Sequence, residues 1–326
     1  MSVESPVAAF KDIRLDTDSL LTANRSLPSC WTQRTYILRP GPFHLRCFRR
    51  VLTEGLSVHR AGLSSGARIV AHLNDDALHL GIYKLRAGRF MHVEAGGDEL
   101  CGVTLGGGRW EIVVNTESEG VMLLAQGELA RRLIKAAQAH VDADDDIRQR
   151  IRDSFVLPPS PSTRTLGQRL QEALDSTDVS RVAAISNELP GLVEQALPKI
   201  LPLAAILPKP RSQRRHMALA YEQRIWDLLP VRGALPDVTQ ELCEELDLTQ
   251  RTLQMAVQEH FGLSCIGLQR TIRLNYARQL LADPVGARNV TDAALAAGFS
   301  HLGRFSQNYR ALFGEHPSRT LALKSG

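Results

Sequence analysis

The last third of this 326-residue chain repeats itself at an offset of 52 residues. The pair VT at 238–239 recurs at 290–291, and the pair FG at 261–262 recurs at 313–314. A repeat this short corresponds to one supersecondary unit. The C-terminal region is therefore predicted to contain two copies of one small helical unit.

The residues within each copy predict a helix, a tight turn and a second helix. A capping threonine, Thr239 or Thr291, is expected to begin the short first helix. Turns are expected at 246–249 and 297–300. A glycine of the kind that stops helices ends the longer second helix.

The longer helix of each copy has large apolar residues every fourth position, which predicts a stripe that faces the core. The stripe consists of Leu253, Val257 and Phe261 in the first copy and Phe305, Tyr309 and Phe313 in the second.

The opposite face of each longer helix is rich in Arg and Gln, which match the edges of guanine and adenine in the DNA major groove. It also includes Met255, which offers only apolar contact, and a glycine that permits close approach of the backbone. The candidate DNA-binding residues are Arg251, Gln254, Met255 and Gln258 in the first copy and His301, Gly303, Arg304, Ser306, Gln307 and Arg310 in the second.

The segment RLNYARQLL at 273–281 lies between the two copies. Its apolar residues fall on one stripe, so a single linking helix is predicted to hold the two units at a fixed separation. Arg270, Arg273 and Arg278 on this helix are interpreted as surface or packing residues.

The stretch from about 216 to 323 resembles the DNA-binding domain of the AraC/XylS family of transcriptional regulators. The resemblance depends most on AAGFS at 296–300, followed by FSQNYRALFG at 305–314 and then a proline. The form HLGRFS at 301–306 is similar to a subgroup that includes regulators of ethanolamine utilisation. Asp247 stands where the family usually has glycine.

The resemblance implies that two recognition helices enter successive major grooves, about 10 bp apart, on one face of double-stranded DNA. It also implies an N-terminal half that senses a small-molecule effector and forms a homodimer. RNA polymerase is a further expected partner. The resulting hypothesis is a ligand-responsive activator of transcription.

Charge and cysteine content agree with this hypothesis without establishing it. The net charge of +4 permits binding to a polyanion, and from residue 251 onward nine Lys and Arg face four acids. The five cysteines are scattered, which argues against a disulfide framework or a structural zinc site. We expect a cytoplasmic protein with no cofactor and no membrane partner, since no signal peptide or apolar run of roughly 18 residues is present.

The N-terminal region predicts an antiparallel sheet. Between about 30 and 126, short and often alternating segments such as LSVHRAGL and ARIVAHL are separated by Gly, Asn and Asp, which is typical of a barrel or sandwich. The fold class is therefore α+β, with a barrel-like sensor domain and an all-α C-terminal domain.

Helical character is expected from 127 to 155 and from 166 to 207, with Pro190, Pro198 and Pro202 as interruptions. The segments at 157–165 and 208–215 are interpreted as breakers. The predicted domains are residues 1–127 (sensor), 128–215 (helical dimerisation and linker region) and 216–326 (DNA binding).

Other functions are less well supported by the sequence. An enzyme of the DNA-repair type with an appended DNA-binding module is the main alternative, but Cys30, Cys47 and Cys101 are too few for the expected four-cysteine zinc cluster. A DNA binder without a sensor is a third reading. No catalytic constellation is visible, and no phosphate-loop spacing is present. The histidines that could suggest a metal site form no compact cluster: His44, His59, His72, His79 and His92.

Overall fold

The computed structural model describes residues 10–17, 31–41, 43–64, 66–90, 93–95, 97, 99–141, 154–205, 212–232 and 238–323. The chain forms two compact units. The first comprises Met1–Thr35 and Phe43–Pro208, and the second comprises Tyr36–Pro42 and Lys209–Gly326.

The first unit contains two antiparallel sheets and three helices, as expected for a β-rich domain. The seven-stranded sheet has the order β1-β3-β4-β11-β6-β9-β12, and the five-stranded sheet has the order β2-β5-β10-β7-β8. The strands are β1 (Lys11–Thr17), β2 (Trp31–Ile37), β3 (Leu45–Thr53), β4 (Leu56–Leu63), β5 (Ala67–Leu73), β6 (Ala77–Leu85), β7 (Gly88–Phe90), β8 (Val93–Ala95), β9 (Glu99–Leu105), β10 (Arg109–Val114), β11 (Ser118–Gln126) and β12 (Ser154–Leu157).

Helices α1 (Gly127–Val141), α2 (Pro161–Asp175) and α3 (Val179–Ile200) pack on one face of the seven-stranded sheet. Cross-strand register places Val58, Leu123, Leu80 and Val103 in one row across four strands. All four side chains are buried in the core that the sheet shares with the helices. Alternation along the strands therefore supplies the apolar face that the helices cover.

The structure corrects several expectations about the region after β11. Of the helical stretch expected over 127–155, residues 127–141 are helical and 142–153 lie outside the described residues, whereas residues 154–157 form the strand β12, paired with β9. Pro190 and Pro198 lie inside α3 instead of interrupting it. Packing of the helix on the core overrides the proline penalty there, since Leu189, Val193 and Leu197 are buried.

The expected breaker at 157–165 is also shorter than predicted. Ser160 is the N-cap of α2 and forms a capping box with Thr163, and Pro161 is the first helical residue. Proline suits that position because the first helical N–H groups have no intrahelical partner. Pro202 lies in a short 3₁₀-helix, Leu201–Ala205.

The second unit is helical, as predicted. None of the helices in the described part of the chain is long and apolar enough to cross a membrane. The helices are α4 (Ser212–Arg232), α5 (Val238–Glu245), α6 (Gln250–Phe261), α7 (Cys265–Ala282), α8 (Val290–Ala296), α9 (Leu302–Phe313) and α10 (Pro317–Ala322).

Candidate nucleic-acid interface

Helices α5 and α6 form the first helix-turn-helix. Asp247 occupies the left-handed conformation in the turn, with φ of 51°. The turn closes when the Leu248 N–H donates to the Cys243 carbonyl at 2.8 Å. Thr249 caps α6 by accepting a hydrogen bond from the backbone N–H of Thr252 at 3.2 Å.

Helices α8 and α9 form the second helix-turn-helix with the same design. Gly298 takes the left-handed conformation, with φ of 77°, and the Phe299 N–H donates to the Ala294 carbonyl at 2.9 Å. His301 is the N-cap of α9 and makes no side-chain capping hydrogen bond.

The capping threonines expected at the first helices are wrong. Thr239 lies inside α5, and its hydroxyl is 2.9 Å from the Tyr221 Oη. Asn289 caps α8 by accepting from the Asp292 N–H at 2.8 Å, which places Thr291 inside that helix. Asparagine is at least as good a cap as threonine, so the helix begins two residues earlier without losing a cap.

The two turns differ by one residue. Thr249 lies two positions after the left-handed Asp247, whereas His301 lies three positions after Gly298. The left-handed residues Asp247 and Gly298 are thus 51 positions apart, whereas the helix caps Thr249 and His301 are 52 positions apart. The repeat is not a strict copy at the point where each recognition helix begins.

The apolar stripes predicted for α6 and α9 are confirmed. Leu253 and Phe305 are fully buried in equivalent positions. In α9 the stripe is aromatic, and its rings run from Phe299 through Phe305 and Tyr309 to Phe313 at centroid separations of 5.1, 5.6 and 4.5 Å.

The predicted DNA-binding residues lie on the opposite faces of these two helices. Met255 is 44% exposed, and a Cβ added at Gly303 would have nothing within 4 Å. Ser306 is half-buried. The other predicted residues are exposed: Arg251, Gln254, Gln258, His301, Arg304, Gln307 and Arg310.

The linking helix α7 braces the second helix-turn-helix through two arginines. Arg273 Nε donates to the Ala297 carbonyl at 2.7 Å, and its guanidinium lies 4.5 Å from the centroid of the Phe299 ring. Burial lowers the pKa of Arg273. Arg278 pairs with Glu315 at 3.1 Å and covers the Phe313 ring at 4.6 Å.

Arg273 and Arg278 are thus packing residues, whereas Arg270 is exposed. Sequence reasoning left this choice open because a helical arginine has the same pattern in either role. The sequence signal that favours packing is the pair of aromatic residues Phe299 and Phe313, on whose rings the two arginines stack.

In the first unit, aromatic side chains fill the space between the two sheets. Trp31 lies edge-on to His79 and Trp110, at centroid distances of 5.2 and 5.3 Å, and His79 stacks on Trp110 at 5.5 Å. Desolvation lowers the pKa of His59 and of His79 to about 3, so both are neutral. His59 Nε2 lies 2.9 Å from the Ser57 Oγ.

The histidines do not converge on a metal site in the described residues, where no group of three or more His, Cys, Asp or Glu side chains is placed to hold an ion. His44 instead lies 3.1 Å from Asp16, and His92 lies outside the described residues.

A cleft of about 570 Å³ opens on the seven-stranded sheet. Arg60, on its wall, lies two residues from the core residue Val58 and pairs with Asp175 of α2 at 2.8 Å. The cleft therefore lies on the helix-bearing face of the sheet. Its volume is in the range of small-molecule sites. Five Arg and Lys side chains outnumber three acidic ones in the lining: Arg14, Arg46, Arg60, Lys84 and Arg86 against Asp16, Glu117 and Glu119.

Two helix-turn-helix units with exposed Arg and Gln faces are typical of DNA-binding proteins. Residues 242–322 match the model of the helix-turn-helix domain family. Residues 242–322 therefore form a helix-turn-helix domain.

Known regulators are similar to this region. The chain is 38% identical over 85 residues to the XylDLEGF operon transcriptional activator 2 of Pseudomonas putida, a match that covers 26% of this chain and 54% of that protein. It is 32% identical over 127 residues to the HTH-type transcriptional regulator CdhR of Pseudomonas aeruginosa, with 37% of each chain covered. The chain thus spans about half of the first relative and about a third of the second.

Among solved structures, a probable AraC family transcriptional regulator from Rhodopseudomonas palustris CGA009 is 31% identical, with 32% of this chain and 97% of that chain covered. Its TM-score of 0.29 is too low to support conclusions about the whole chain. Both Pseudomonas relatives are named as regulators of transcription.

Proposed function

We propose that the chain as a whole is a sequence-specific transcriptional regulator that reads two adjacent major-groove segments and responds to a small molecule. The observation that carries the proposal is the pair of recognition helices, α6 and α9, whose buried stripes fix them and whose polar faces are exposed. Residues Arg251, Gln254, Arg304 and Gln307 are proposed to contact base edges.

Selection of bound fragments from genomic DNA, followed by footprinting, tests this proposal. We expect a site with two protected segments about 10 bp apart. Binding should also weaken strongly with salt, by a log–log slope of about −0.9 for each phosphate neutralised. Equal affinity for all fragments, or a flat response to salt, would contradict sequence-specific DNA binding.

The first unit is proposed to be the sensor, and the cleft of about 570 Å³ supports this role. The excess of basic over acidic side chains in its lining favours an anionic molecule. Ligand binding would then bias how the DNA-binding halves are presented. Thermal denaturation of the full chain with a panel of organic anions, each paired with its neutral amide, tests the idea.

We expect at least one anion to raise the melting temperature while its amide does not, because a ligand that binds only the folded state stabilises it. The variant Arg46→Glu should abolish the shift. Arg132→Glu, on the exposed surface of α1, is the matched control and should retain it. If the amides stabilise the chain as well as the anions do, the charge argument fails.

Finer features of the proposal come from the relatives and from the motif. Transcription activation is proposed because several relatives are named activators. HLGRFS at 301–306 supports the subgroup that includes regulators of ethanolamine utilisation. A homodimer, contact with RNA polymerase and a cytoplasmic location complete the proposal.

A further inference from the structure

The second unit includes a segment that lies far from the helix-turn-helix domain in sequence. Tyr36–Pro42 belongs to this unit together with residues 209–326. Tyr36, Ile37 and Leu38 have exposed fractions of only 0, 1 and 3%. The contacts of this segment with the helices show what holds it in the second unit.

Asn275 of the linking helix α7 binds the backbone of this segment. Its Nδ2 donates to the Ile37 carbonyl at 2.8 Å, and its Oδ1 accepts from the Ile37 N–H at 2.8 Å. Nδ2 also donates to the Thr271 carbonyl at 2.8 Å. The side chain is fully buried. A buried amide is costly without such bonds, and one amide here satisfies both backbone groups of Ile37, as a neighbouring strand would.

Helix α4 holds the same segment through Tyr36. The Tyr36 hydroxyl donates to the Glu222 Oε1 at 2.7 Å, in a site where both side chains are buried. The Tyr36 ring meets the edge of Trp226 at a centroid distance of 5.5 Å. The phenol O–H is the donor and the carboxyl oxygen the acceptor, so this contact has a defined direction.

The segment also reaches the end of the first recognition helix. Arg39 Nη2 lies 2.7 Å from the position that a Cβ would occupy on Gly262, the left-handed residue that ends α6. The segment therefore touches α4, α7 and the end of α6. It connects the first helix-turn-helix to the helix that braces the second.

We infer that Asn275, Glu222 and Trp226 form a site for an extended peptide segment, and that residues 36–41 occupy it as a strap that fixes the spacing of the two recognition helices. The inference rests on the proposed DNA-binding function for its consequence. Two reading heads at a fixed separation bind a double site far more tightly than either half-site, because the second contact is intramolecular. Loss of the strap should therefore weaken double-site binding selectively.

The test uses the full chain with Asn275→Leu, which keeps the branched shape of the side chain and removes both bonds to Ile37. Gln279→Leu on the same helix is the matched control, since its side chain is half-buried. We expect Asn275→Leu to lower affinity for DNA carrying both half-sites by about tenfold, in line with the loss of buried hydrogen bonds. Affinity for a single half-site should change by less than about threefold.

Hydrogen exchange of the Ile37 amide provides a readout that needs no DNA. In the parent chain this amide should be protected, and Asn275→Leu should release it while the α7 amides stay protected. Tyr36→Phe, which removes only the hydroxyl, is the milder variant if Asn275→Leu unfolds, and it should accelerate the same amide.

Fast exchange of Ile37 in the parent chain would overturn the strap. An equal loss of double-site and half-site affinity would overturn its role in spacing. Failure of the parent chain to bind any specific DNA would instead contradict the proposed function, and the exchange result would still decide whether the strap exists.

Discussion

The two helix-turn-helix units share a layout but differ in how they are supported. The second has a four-ring aromatic ladder and two arginines from α7 stacked on its rings. The first has the aliphatic Leu253 and Val257 in its stripe, a side-chain cap at Thr249, and an aspartate in its left-handed turn position. The exposed faces differ too, because Met255 interrupts the polar face of the first.

The two helix-turn-helix units therefore differ both in how firmly they are braced and in which side chains they expose. The second helix-turn-helix has the more extensive bracing and the greater number of exposed hydrogen-bonding groups. Precise readout of bases needs side chains held on rigid elements. We therefore expect the second helix-turn-helix to dominate sequence discrimination and the first helix-turn-helix to contribute more to affinity than to specificity.

The largest expected effect comes from removing the brace. Arg273→Ala loses a charge-assisted hydrogen bond to Ala297 and the stacking on Phe299, and should destabilise the protein by about 2–4 kcal/mol. Urea denaturation measures this change. Arg270→Ala, on the exposed face of the same helix, is the control and should stay within about 0.5 kcal/mol of the parent. Equal effects of the two substitutions would mean that Arg273 does not brace the second helix-turn-helix.

The next effect concerns the bases. Arg304→Ala and Gln307→Ala should each relax preference at defined positions, with a loss of about 1–3 kcal/mol in binding free energy. Met255→Ala should cost less, since only apolar contact is lost. Affinities for a panel of single-base site variants measure this, after each variant shows an unchanged melting transition. Uniform weakening on every sequence would mean that Arg304 and Gln307 contact only the backbone.

The smallest effect tests the two turns by exchange. Asp247→Gly should stabilise the protein by about 0.5–1 kcal/mol, because relief of the left-handed strain exceeds the added backbone entropy of glycine. Gly298→Asp should destabilise it by about 1 kcal/mol for the same reason. Thermal unfolding of both variants gives the comparison. A gain from Gly298→Asp would show that the turns are not equivalent.

The parts of this structure that follow from periodicity could be predicted from the sequence. The stripes of α6 and α9 appear at spacing four, and strands such as β4 and β5 appear as alternating segments. Helix ends were less predictable. Asn289 competes with Thr291 as a cap, and Pro190 fits inside a helix because the core compensates for it.

The strap could not be predicted, because its partners are distant in sequence. Ile37 and Asn275 are separated by 238 positions, and neither local propensity nor hydropathy relates them. An asparagine in the middle of a linking helix is a weak signal, since this residue is disfavoured there without a specific partner. The candidate base-contacting residues could be predicted because the helix face opposite a clear apolar stripe is exposed to solvent.

Unfolding of the first unit should be coupled to proton uptake by the two histidines that lie between the sheets. His59 and His79 have pKa values of about 3 in the fold, against about 6.5 in an unfolded chain. Unfolding near pH 5 should therefore bind about two protons, and each histidine should reduce stability by about 1.4 kcal/mol per pH unit as the pH falls below 6.5. Calorimetry in buffers of different ionisation enthalpy counts these protons. Acidification would thus weaken the sheet domain from its interior, at two buried histidines outside the helix-turn-helix units.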